Sequence, residues 1–120
     1  MKSQPTSTFA IIVGLFLLIE GIMGLSSPVV FEILSTNRTH AVIHILLGLI
    51  GIGLGAKGMA RGYCIFLGIL LLVVGIFYFV PGVSEIIVDI LNVNQAVALV
   101  NIVIGIVALL VAYVPRKTVI

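Results

Sequence analysis

Four long apolar stretches, parted by one short polar loop and two longer mixed ones, constrain this chain more than any other feature. They run from about Thr8 to Leu25, Thr39 to Ala56, Tyr63 to Val80 and Ala96 to Val114. A membrane-spanning helix needs about 20 mostly apolar residues, and each stretch comes close to that length. Spans this short suit a small tilt or a thin bilayer. The residue balance agrees: 62% of the 120 residues are hydrophobic and 8% charged, against roughly 25% charged in a soluble domain. So few charges cannot cover a water-facing surface, whereas lipid accepts such a surface readily. The expectation is an all-α integral membrane four-helix bundle, a single membrane domain over residues 1–120.

The first stretch also has the look of a signal peptide, with Lys2 before the apolar run Phe9 to Ile19 and small residues after it. Its position-by-position match with the third stretch, set out below, argues that it is retained as a span.

Orientation follows from Lys and Arg in short loops. Lys2, Lys57, Arg61, Arg116 and Lys117 fall on one side of the four spans, while Arg38 lies opposite with Glu32, Glu85 and Asp89. This places both termini and the short 57–61 loop in the cytoplasm. Tyr63 and Tyr113 are then expected at the inner interface and Tyr78 near the outer one. The two outer loops, SSPVVFEIL and SEIIVDIL, begin with helix-start residues and mix apolar residues with single carboxylates. Short helices lying in the outer interface are expected for both, with an extended apolar loop as the alternative.

The halves repeat. FAIIVGLFLLIEGI from Phe9 aligns with YCIFLGILLLVVGI from Tyr63, pairing Gly14 with Gly68 and Gly21 with Gly75. After a three-residue shift, EILSTN from Glu32 aligns with DILNVN from Asp89, pairing Asn37 with Asn94, Ala41 with Ala98, His44 with Asn101 and Gly48 with Gly105. The units cover about residues 8–56 and 63–114. Each has two spans, so both enter the membrane from the same side as a parallel repeat.

Lipid is as apolar as leucine, so small and polar residues mark the packed faces. Helix two carries His40, His44, Gly48, Gly51 and Gly55 at helical spacing; helix four carries Asn94, Ala98, Asn101, Gly105, Ala108 and Ala112. Helix one offers Ala10, Gly14, Leu17, Gly21 and Gly24, and helix three Gly68 and Gly75. Gly51 and Gly55 form a small-xxx-small pair suited to close backbone contact.

Glu20, His40, His44 and Asn101 gather at one depth in the outer leaflet. Such groups usually face the bundle interior, because lipid penalises them unless paired. Glu20 receiving a hydrogen bond from His44 or His40 would lock helix one to helix two. Alternatively, desolvation would hold Glu20 protonated. Three sharper readings compete with this structural role. An imidazole, His44 or His40, can ligate a haem- or chlorophyll-type tetrapyrrole. His40 and His44 at i and i+4, with Glu20 or Glu32, can hold a metal ion. Proton or small-solute passage would want polar residues along the whole path, and the inner halves of the spans have no ionisable groups there.

Other chemistry is excluded more quickly. The net charge of +2 is too small to indicate a nucleic-acid partner. Cys64 is the sole cysteine, in apolar surroundings, and reads as a buried structural thiol. NRT at Asn37 fits a glycosylation pattern but abuts the membrane. GLIGIGLG follows no strand, so it is no nucleotide fingerprint. No nucleophile has a plausible base beside it, so no enzymatic activity is expected.

NRTHAVIH followed by LLGLIGIGLG, together with Pro81 and Gly82 after helix three, resembles the small four-helix bacterial membrane proteins catalogued as domain of unknown function 4383. The resemblance implies an Asn-x-x-His-x-x-x-His start to helix two, here Asn37, His40 and His44. It also implies a bacterial inner membrane location. Helix four departs from a two-helix histidine site by carrying Asn101. The function expected is that of an accessory, assembly or structural subunit, acting through contacts with lipid, other membrane subunits or further copies of itself.

Overall fold

The computed structural model describes residues 5–114. Among them are five helices: α1 (Pro5–Ser26), α2 (Arg38–Ala56), α3 (Arg61–Phe77), α4 (Ser84–Leu91) and α5 (Gln95–Ala112). A two-stranded ribbon, β1 (Val29–Val30) and β2 (Leu34–Ser35), joins α1 to α2. The described residues are all-α apart from that ribbon. Helices α1, α2 and α5 are long and apolar enough to cross a membrane, and α3 is a shorter apolar helix.

Helix α3 stops three residues before the expected Val80 because the backbone tightens ahead of Pro81. Phe79 N donates to Ile76 O and Val80 N to Phe77 O, both i→i+3 bonds, and the residue before a proline is steered away from the α conformation. Helix and tightened turns together rise about 30 Å.

The helices pack in two close pairs, α1 with α2 and α3 with α5. Glycine sets the separation in both. A Cβ at Gly14 would lie 2.8 Å from Gly48 O, and one at Gly48 would lie 2.6 Å from Gly14 O. In the second pair, a Cβ at Gly68 would lie 3.0 Å from Gly105 O, and one at Gly105 would lie 2.8 Å from Gly68 O. Gly21 meets Ala41 O and Ile45 one step along; Gly75 meets Ala98 O and Ile102 in the same way. Such backbone approach brings many dispersion contacts together, the main attraction available between helices in lipid.

Gly51 and Gly55 do not act as one small-xxx-small pair. Gly55 faces Ser7 O and Ile11 of α1, while Gly51 faces the ring of Tyr63 from α3. Tyr63 is accordingly buried rather than interfacial: its hydroxyl donates to Leu47 O at 2.7 Å. That bond is available because Gly51 has no side chain to hold the ring off. Tyr113 does stand exposed, with the Arg61 guanidinium over its ring.

One core cluster, including Ala10, Leu17, Cys64, Leu67 and Leu71, lies toward the end that carries the tight α2–α3 loop. Gly58 closes that loop at φ +70°, a left-handed conformation that favours glycine. A second cluster, Val30, Leu34, Val93, Val97 and Ala98, seals the opposite end. The outward faces are apolar: Ile12, Leu46, Phe66 and Val103 are each more than half exposed.

The connection between α1 and α2 is a ribbon, not the expected short helix. Phe31 and Glu32 take φ of +54° and +65°, which breaks any right-handed helix and folds β2 back on β1. Burying Val30 and Leu34 under α5 favours strand geometry over the serine–proline helix signal. The second connection is helical as expected: α4 ends at Asn92 in the left-handed conformation, a common C-terminal stop for asparagine. Lys2, Arg116 and Lys117, on which part of the orientation rests, lie outside the described residues.

Candidate functional site

The polar residues at the end that carries the ribbon and α4 fall into two connected groups. The first ties the two connections together. Asn37 caps α2 by accepting His40 N–H at 2.9 Å, and its amide donates to Ile90 O at 2.8 Å. Asn94 caps α5 by accepting Val97 N–H at 3.0 Å, and its amide donates to Ile33 O at 2.9 Å. Each asparagine thus caps a helix of its own half and grips the connection of the other. Between them, Ser35 Oγ donates to Asn92 O, and the Asn92 amide donates to Thr36 O at 2.7 Å. Ser35 and Asn92 are aligned positions in EILSTN and DILNVN, so equivalent residues meet each other at the centre.

The second group is the predicted cluster. Glu20 is 7% exposed, and His40, His44 and Asn101 are 4% exposed each. Glu20 Oε1 pairs with His44 Nδ1, joining α1 to α2. The close fit of Gly21 against Ala41 and Ile45 brings the backbones near enough for that short link. The pairing satisfies a carboxylate that hydrocarbon would otherwise penalise. His40 does not reach Glu20. Its Nδ1 lies 3.1 Å from Leu91 O, at the end of α4, and its ring meets the His44 ring edge-on with centroids 4.2 Å apart.

Asn101 sits across from both histidines. Together with them it lines a cavity of about 80 Å³, walled otherwise by apolar side chains including Leu47, Leu70, Leu71 and Val74. The two halves of the repeat differ here. Val74 occupies the position aligned with Glu20 and Asn101 the position aligned with His44, so the second half has no ion pair. The α2 and α3 backbones stay apart where α1 draws near both α3 and α5.

Among the described residues no group of three or more His, Cys, Asp or Glu side chains converges on one point. Glu32 lies on the ribbon turn, apart from the histidine pair. Cys64 is fully buried, with Sγ 3.6 Å from Thr6 O.

Asn37, Asn92, Asn94, Ser35 and Tyr63 are the polar side chains that the sequence reading did not assign to these contacts. The signal for two of them was present, since Asn37 and Asn94 align in the repeat. What that alignment lacked was any indication that each amide crosses to the other half.

Residues 7–114 match the family described as Domain of unknown function (DUF4383). The chain belongs to this family. Asn37, His40, His44, Gly48 and Gly51, on which the resemblance rested, all lie within the matched stretch of this DUF4383 chain. No curated protein and no solved structure matches it.

Proposed function

We propose that this DUF4383 chain is a non-enzymatic, multi-pass membrane protein serving as an accessory or assembly subunit. In this reading α1, α2, α3 and α5 all cross the bilayer as two parallel repeats. Both termini and the 57–61 loop lie in the cytoplasm, and the asparagine-tied connections face outward. The bacterial inner membrane is the location implied by the family resemblance.

The observation that carries the reading is how the polar side chains are used. The scarce ones at the outer end mostly join one half to the other or α1 to α2, while the outward mid-helix faces of α1, α2, α3 and α5 present apolar side chains. This gives a stiff body with a wide apolar surface, suited to docking laterally on other membrane helices. The matching glycine contacts of the two pairs support the repeat, and the tightened turns after α3 support a fourth crossing.

Two alternatives fare less well. A tetrapyrrole is larger than the space beside the histidines, about 80 Å³, when pockets for drug-sized ligands run about 300–1,000 Å³. Solute passage meets a tightly packed inner half, where Leu17, Leu67, Leu71 and Cys64 fill the axis.

Photo-crosslinking residues placed at Ile12, Leu46, Phe66 and Val103 in native membranes test the subunit role. A protein adduct of one defined mass, confined to one or two of these faces, is the expected result. Lipid adducts alone at all four, with liposome flux that disappears in Glu20→Gln, would replace the subunit role with transport.

A further inference from the structure

At the end opposite the ribbon and α4, the start of α1, the 57–61 loop and the end of α5 leave a pocket of about 480 Å³ between them. Its wall includes Thr6, Gly58, Arg61, Gly62, Tyr113 and Val114. That size falls within the range of about 300–1,000 Å³ that takes small organic ligands.

Arg61 gives the pocket its chemistry. Its Nε donates to Ala112 O at 2.9 Å, and its guanidinium carbon stands 5.1 Å from the centre of the Tyr113 ring. These two contacts, both at the end of α5, fix the plane of the group. The two Nη nitrogens have no hydrogen-bond partner among the described residues. A guanidinium held in this way presents a planar fork of donors, which matches the oxygens of a phosphate. No acidic side chain opposes it: Glu20, Glu32, Glu85 and Asp89 all belong to the other end. Lys57 lies in the adjoining loop, and Lys2, Arg116 and Lys117 flank the described residues in the sequence.

A second observation concerns what the phosphate is attached to. Val103, Val107 and Leu110 on α5 and Val114 just past it recur at steps of four, three and four residues, the spacing of one helix face. Each is exposed, and Val114 is part of the pocket wall. Val103 also borders a shallow apolar depression with Leu99, Val100 and Ile104. A ligand with a phosphate at one end and hydrocarbon along α5 matches both features. Inorganic phosphate matches only the first.

We propose that this pocket binds the headgroup of one anionic phospholipid. The Arg61 Nη atoms donate to its phosphate oxygens, and an acyl chain follows the stripe from Val114 to Val103. The first turn of α3 adds to the attraction, because Ala60 supplies no side-chain cap and free N–H groups at a helix start favour an anion. Basic pockets between membrane helices at the cytoplasmic surface hold anionic headgroups in the same manner. The site requires that this end meet the membrane surface and is independent of the subunit role.

The test uses the full chain, delipidated in a mild detergent and titrated with dioleoyl phosphatidylglycerol, dioleoyl phosphatidylcholine or inorganic phosphate. Native mass spectrometry counts the bound lipid, and melting temperature is followed alongside. The expected result is one phosphatidylglycerol per chain, with a melting temperature that rises with its concentration, under conditions where phosphatidylcholine does neither. Arg61→Gln weakens retention roughly 10- to 100-fold, the loss expected for charge-assisted hydrogen bonds, while Arg38→Gln at the opposite end leaves it unchanged. Gly62→Phe serves should Arg61→Gln fail to fold: a Cβ at Gly62 meets nothing within 4 Å, so the ring is accommodated, narrows the pocket and lowers retention. Equal retention of the two lipids by the wild type overturns the proposal. So does phosphatidylglycerol binding that survives unchanged in both Arg61→Gln and Gly62→Phe. Stabilisation by inorganic phosphate with none by the lipid makes the occupant a free phosphate and overturns the lipid assignment. Thiol labelling at position 57 reads the membrane arrangement separately, so a chain that crosses as proposed but ignores phosphatidylglycerol refutes the lipid site alone.

Discussion

Asn37 and Asn94 hold the two halves of the protein in a mutual grip: the Asn37 amide donates to Ile90 O at 2.8 Å and the Asn94 amide to Ile33 O at 2.9 Å, while each side-chain oxygen caps its own helix. The two acceptors are themselves aligned residues of the repeat. One exchange of contacts therefore fixes how the α1–α2 pair sits on the α3–α5 pair.

The two jobs of each asparagine separate by mutation. Asn37→Asp keeps the cap acceptor and loses the donor to Ile90 O, so it is expected to cost about 1 kcal/mol. Asn37→Ala loses both and is expected to cost about 2 kcal/mol. Asn94→Asp and Asn94→Ala follow the same order. Thermal unfolding in a mild detergent gives the ranking, and equal stability of Asp and Ala variants at both sites would show that the crossing bonds contribute nothing.

At the glycine contacts, Gly48→Leu forces a side chain into Gly14 O and Leu18, and Gly51→Leu into the Tyr63 ring. Both are expected to lower stability by more than about 2 kcal/mol or to prevent folding. Gly53→Ala, which meets nothing within 4 Å, and Leu46→Ile on the exposed face are expected to be tolerated. Size-exclusion profiles and melting curves distinguish the two sets; similar behaviour of all four variants would contradict the proposed packing faces.

The Glu20–His44 pair is expected to follow the rule for buried ion pairs. Glu20→Leu leaves His44 without its acceptor and His44→Leu leaves a lone carboxyl, each at about 3 kcal/mol. Glu20→Leu with His44→Leu removes both and is expected to recover most of that loss. A double variant as unstable as the sum of the singles would mean that the two side chains are not coupled.

Tyr63→Phe removes one hydroxyl from Leu47 O and leaves the ring on Gly51, so a loss of about 1 kcal/mol is expected. Glu32→Gly relieves an exposed residue held at φ +65° and is expected to stabilise the ribbon by up to about 1 kcal/mol. Chemical or thermal unfolding of the two variants reads both effects, and a destabilised Glu32→Gly would contradict the turn geometry.

Much of the fold was legible because lipid leaves a chain few options. Apolar length set the long helices, and glycine spacing marked Gly14, Gly21, Gly48, Gly68, Gly75 and Gly105 as contact positions, where close approach leaves no room for a Cβ. The depth of Glu20 and His44 foretold that they would meet. The ribbon at Val29–Ser35 was not legible, because its turn rests on Phe31 and Glu32, which rarely adopt positive φ. Nor was the placement of Tyr63, since an aromatic near a helix end serves equally well at an interface or over a glycine. The grip of Asn37 and Asn94 depends on carbonyls more than fifty residues away, and no local pattern encodes such a partner.

Single-cysteine variants Lys57→Cys and Glu85→Cys, each with Cys64→Ser, test the four-crossing arrangement most directly. They place one thiol before α3 and one after it, for labelling by a membrane-impermeant reagent in intact cells. Four crossings with a cytoplasmic 57–61 loop predict labelling at position 85 in intact cells and at position 57 only after permeabilisation. Labelling of both positions from the same side would contradict a crossing by α3, and the reverse pattern would invert the protein in its membrane.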